Sequence, residues 1–150
     1  MRERVPVFAA ALWWGSLTAI GFMAVPLLFA NLPSPAIAGQ MAAKLFTAQT
    51  WMSVGCGMVL LIARGKVRIE AWALAGMILA LLVEFAVAPR IVAKQDLALW
   101  HAVGSAMYGV QWICAGAALW KVGARLRHPR ESGDPGPRSH ARPGPPPARG

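Results

Sequence analysis

Four long apolar blocks dominate the chain, at about Val5–Ala30, Thr47–Ala63, Ile69–Ala88 and Leu97–Trp120. Each comes close to or exceeds the roughly 20 residues that an α-helix needs to cross a bilayer. Apolar positions run nearly all round each block, as in helices surrounded by lipid and by one another. Strand-like alternation is missing, which argues against a transmembrane β-barrel. The pattern predicts an all-α integral membrane protein, an antiparallel bundle of four transmembrane helices over residues 1–124.

From Arg125 the pattern stops. The stretch "RLRHPRESGDPGPRSHARPGPPPARG" holds more than half of the chain's 12 prolines and almost no apolar groups. It cannot build a core, so 125–150 is predicted to be a disordered, dispensable tail. Its arginines could touch anionic lipid. His128 and His140 belong to it and are assigned no site. At the other end, "MRER" and the small residues of "AIAGQ" imitate a signal peptide. The apolar run between them far exceeds the roughly 7–15 residues of a signal core, so it is read as a retained first span.

The connections carry turn and cap signals. In "NLPSPAIAGQMAAKLF" (31–46), Pro33 and Pro35 turn the chain and Ser34 can cap a helix with Pro35 at its first position. Ala36–Phe46 then reads as a short interfacial helix leading into the second span. "RGKVR" (64–68) makes a tight hairpin, and Glu70 suits the helix start that follows it. Pro89 is expected to end the third span, Asp96 to cap the fourth and Pro26 to bend the first. No convincing internal repeat is visible.

Hydrophobic residues make up 57% of the chain and charged ones 14%, with net charge +9. In a soluble protein that charge would point to nucleic acid. Here the cations flank the spans, which explains them without a nucleic-acid partner. Arg2, Arg4, Arg64, Lys66, Arg68, Lys121, Arg125, Arg127 and Arg130 fall on one side; Lys44, Arg90 and Lys94 fall on the other. The positive-inside rule then puts both termini in the cytoplasm. Trp51 and Trp100 are expected at the outer interface, Trp72 and Trp120 at the inner one.

One carboxylate stands inside an apolar run, in "ALLVEFAVAPR" (80–90). Ionisable groups in a span are costly and usually face the bundle interior or water. Glu84 and His101 lie at similar depth on successive antiparallel spans, and Arg90, Gln49, Thr50 and Tyr108 complete a candidate polar cluster. Two readings stay open: Glu84 is held by His101 or Arg90 and locks helices together, or the cluster handles a ligand, proton or metal. His101, Ser105, Tyr108 and Gln111 or Trp112 recur at helical spacing and are expected to point inward.

Gly15 with Ala19, and Ser53 with Gly57, are small residues four apart that suit close helix contact and self-association into a homo-oligomer. Cys56 and Cys114 read as reduced packing residues, with no zinc-ligand spacing. Met23, Met52, Met58, Met77 and Met107 are scattered as packing residues are, not as a copper motif. No phosphate loop, nucleophile elbow or metalloprotease motif is present. No catalytic residue, metal ligand or cofactor is predicted.

"ALWWGSLTAIGFMAVPLLFANLPSPAIAGQMAAKLF" (11–46) resembles the opening of the transmembrane protein 205-like proteins, also known as domain of unknown function 4149. Pro26, Phe29, Ala38, Gly39, Leu45 and Phe46 match that pattern, and "VAPRI" and "LWHAVGSAMYGVQW" are similar to bacterial members. The resemblance covers about residues 7–122, and the tail departs from it. It implies a small four-span protein of the bacterial inner membrane and carries no catalytic signature. The expected function is non-enzymatic, structural or accessory. The alternative is a small-ligand, copper or haem-handling protein, loosely similar to the copper resistance D membrane domain. With His101 the single intramembrane histidine, two-histidine haem ligation would need a methionine or a dimer.

Overall fold

The computed structural model describes residues 4–63 and 69–127, with side chains up to Ala124. The basic start at 1–3, the "RGKVR" hairpin and the Pro/Arg-rich tail from His128 lie outside the described residues. All regular structure described is helical: α1 (Val5–Asn31), α2 (Pro35–Ile62), α3 (Glu70–Val92) and α4 (Leu97–Arg127). All four are long and apolar enough to cross a membrane. Each packs on its sequence neighbour, and α1 closes the ring against α4. The result is an antiparallel four-helix bundle with mostly apolar side chains on its outer surface.

Two boundaries differ from the sequence expectation. α2 starts at Pro35 instead of near Thr47, and the expected interfacial helix is its first turns. Ser34 caps it by accepting from the Ile37 N–H, and nothing between Pro35 and Ile62 breaks the helix. Trp51 therefore stands well inside α2, 59% exposed, and not at an outer boundary. Pro89 does not end α3, which continues to Val92. Asp96 does cap α4, with Oδ1 accepting from the Leu99 N–H.

Both prolines sit just after a π-helical turn, Ile20–Ala24 in α1 and Val83–Val87 in α3. Val25 donates to the Ile20 carbonyl and Ala88 to the Val83 carbonyl, five residues back. A proline ring crowds the carbonyl four residues earlier and supplies no N–H. Widening the preceding turn accommodates both defects without ending the helix.

These paired turns expose an internal repeat that the sequence reading missed. A shift of 63 positions carries Pro26 onto Pro89, the first π turn onto the second, and buried Ala10, Trp13 and Leu17 onto buried Ala73, Gly76 and Ala80. A shift of 62 carries the cap Ser34 onto the cap Asp96, and buried Gln49, Ser53, Cys56 and Leu60 onto buried Gln111, Ala115, Ala118 and Val122. The chain is two helical hairpins, α1–α2 and α3–α4, related by a pseudo-twofold axis along the bundle. Such an axis must bring equivalent residues beside it into contact. It does: a Cβ on Gly76 would lie 2.5 Å from the Trp13 ring, and the rings of Phe46 and Tyr108 meet edge-on at 5.4 Å. Gln49 and Gln111 meet through one serine.

Candidate functional site

The predicted polar cluster separates into three places. On the axis, Ser53 Oγ accepts from Gln49 Nε2 at 3.3 Å and Gln111 Nε2 at 2.8 Å, and donates to the Gln49 carbonyl at 2.8 Å. All three residues are buried, and the group ties the diagonal helices α2 and α4. Gln49 Oε1 and the indole N–H of fully buried Trp13 have no hydrogen-bond partner among the described residues. Thr50 is also buried.

The second place is the α1–α4 seam. Tyr108 donates to the Leu17 carbonyl at 2.8 Å, its ring filling the space beside Gly21. Trp112 donates through Nε1 to Thr18 Oγ1 at 2.9 Å and stacks at a tilt on Trp14. Phe22 meets Trp112 edge-on. Thr18 donates in turn to the Trp14 carbonyl. The sequence offered Tyr108 and Trp112 as part of a stripe, but gave no signal for Thr18 as their counterpart.

The third place is the seam between α2 and α3, and it holds Glu84. The carboxylate sits in the second π turn, partly exposed, and Oε1 accepts from Thr47 Oγ1 at 2.9 Å. The expected partners are elsewhere. His101 is exposed, and neither it nor Glu84 makes an ion pair among the described residues. Arg90 donates to the Ala86 carbonyl and lies 4.6 Å over the Trp100 ring, joining the end of α3 to the start of α4. The expectation that Glu84 meets His101 inside the bundle is thus corrected: Glu84 bridges neighbouring helices at an outer seam. The polar stripe points inward from Tyr108 to Gln111, while His101 and Ser105 are exposed. Thr47 carries no such signal in the sequence, where it stands at the edge of the second apolar block.

Among the small-residue pairs, Gly57 makes the expected close contact, against Met77. Gly15 does not: it is exposed, with open space where a Cβ would stand. Cys56 and Cys114 are free and buried. Among the described residues, no three His, Cys, Asp or Glu side chains gather as metal ligands.

A four-helix bundle with apolar outer faces and polar groups spent on helix-to-helix bonds defines a multi-pass membrane protein. Residues 8–99 match the family described as domain of unknown function DUF4149. That is more than half of the 150 residues, and the chain belongs to this family. Comparison with curated proteins and with solved structures gave no match.

Proposed function

We propose that the chain is a non-enzymatic structural or accessory protein of a bacterial inner membrane, akin to the transmembrane protein 205-like proteins, with both termini cytoplasmic. The observation that supports it is the filled axis. From Trp13–Gly76 through Gln49–Ser53–Gln111 to Phe46–Tyr108, side chains from opposite helices meet at successive levels. The interior is committed to holding helices together, and the Gln111–Ser53 bond on the axis crosses between helices. The orientation rests on the Lys/Arg asymmetry of the sequence.

Metal analysis and an optical spectrum of the purified protein test the first part. Metal below one atom per chain and no visible absorption band are expected. A stoichiometric metal or a haem band overturns it. Reporter fusions test the orientation: one after Gln40 should read external and one after Arg127 cytoplasmic, and the reverse pattern overturns it.

A further inference from the structure

The two hairpins are not alike on their lipid-facing sides. Between α1 and α2 runs an open apolar groove of about 400 Å³, walled by Phe8, Ala9, Leu12, Trp51, Gly55 and Val59. The repeat puts Trp72 where Ala9 stands and Ala117 where Gly55 stands. At these two wall positions the hairpins differ by one tryptophan-to-alanine and one alanine-to-glycine change. A Cβ added to Gly55 would meet nothing within 4 Å. From Val5 to Leu12 the groove follows α1 for about 10 Å at 1.5 Å per residue, a sizeable part of one leaflet's depth. Val5 also lines the groove, and the residue before it, Arg4, is exposed and makes no ion pair among the described residues.

We propose that this groove holds one acyl chain of an anionic phospholipid whose phosphate meets Arg4. Any outer face touches lipid, so apolar burial alone selects nothing: lipid tails are as apolar as the protein. Selection comes from two other terms. A shaped groove gives one chain more close van der Waals contacts than a flat helix face does. The Arg4 guanidinium attracts an anionic headgroup. A second copy of the chain is the other candidate occupant. A twofold pairing through this groove would bring a second Arg4 to the same end of it, so the charge favours an anion.

The test is native mass spectrometry of the full chain released from bilayers of equal parts phosphatidylglycerol and phosphatidylcholine. The wild type should retain one phosphatidylglycerol per chain in preference to phosphatidylcholine. Ala9→Trp, which imports the second hairpin's residue, should abolish that retention. Arg4→Gln should weaken the preference about fivefold, as expected for one cation near the membrane surface. Gly55→Leu fills the groove from the other wall and decides the matter if Ala9→Trp fails to fold. Equal retention of both lipids, or unchanged retention in a folded groove-filled variant, overturns the proposal. So does a wild-type dimer that Ala9→Trp or Gly55→Leu converts to monomer.

Discussion

The α1–α4 and α2–α3 seams are equivalent under the pseudo-twofold, yet they are closed by different chemistry. α1–α4 is aromatic, with Trp14, Phe22, Tyr108 and Trp112 interlocked and two hydrogen bonds crossing between helices. α2–α3 is leaner: Met77 lies against Gly57, and Thr47 donates to Glu84. Gly21 corresponds to Glu84, Gly109 to Thr47 and Trp112 to Thr50. Where one seam brings a tyrosine ring against a bare backbone, the other places a carboxylate and a hydroxyl. The repeat keeps the backbone devices (caps, π turns, prolines) and the buried positions, and lets the side chains on them diverge.

The strongest way to break this comparison is on the axis. Trp13 is fully buried against Gly76, its equivalent. Trp13→Gly should cost about 3–5 kcal/mol, the range for truncating a buried aromatic. Gly76→Trp alone should overpack the same level by about 1–3 kcal/mol or more. Combining them transposes the pair across the axis, and the double variant should be clearly more stable than the sum of the two losses. Denaturant titration from detergent micelles measures all three. Simple additivity would mean that the two positions do not share one space.

The seams themselves can be compared by paired substitutions. A Cβ on Gly21 would stand 2.6 Å from the Tyr108 ring, whose hydroxyl is tied to the Leu17 carbonyl and whose edge meets Phe46. Gly21→Ala should therefore cost about 1–3 kcal/mol. Glu84→Ala, at the equivalent place, should cost less, because it removes one partly exposed hydrogen bond and forces nothing apart. The reverse order in thermal unfolding would show that the lean seam carries the bundle. Gln111→Leu should fall between them, at up to about 1.7 kcal/mol, the largest value found for single polar pairs between membrane helices.

The four helices were legible because a bilayer demands long apolar runs, which composition alone reveals. The start of α2 was not, because Gln40, Lys44 and several alanines dilute the hydropathy of its first turns. The capping signal at Ser34–Pro35 was the better guide: a helix once capped continues until something stops it. The repeat was hidden for a different reason. Lipid-facing positions need only be apolar, so they drift, and overall similarity between halves fades. What survives lies beside the axis and at the backbone devices. Aligning Ser34 with Asp96 and Pro26 with Pro89 would have uncovered it. For Glu84, the azimuth on the helix decides its partner. Similar depth brings together residues of two helices only when both face the same seam, and His101 is exposed while Glu84 turns towards α2.

The smallest expected effect is also the sharpest test of what Glu84 does. Its carboxylate accepts one hydrogen bond from Thr47 and makes no ion pair among the described residues. A glutamine can accept the same bond through its side-chain carbonyl. If the residue only ties α2 to α3, Glu84→Gln should change stability by less than about 0.6 kcal/mol, the average for such pairs. Glu84→Leu removes the acceptor and should cost about that amount, as should Thr47→Val, which removes the donor. The double variant Glu84→Leu with Thr47→Val should then cost no more than either alone, because each single change already breaks the one bond they share. A double variant that costs the full sum would mean that the bond contributes nothing to holding the helices. A Glu84→Gln loss well above 1 kcal/mol would mean that the negative charge itself matters, and would point to a cationic partner on the chain or from outside it.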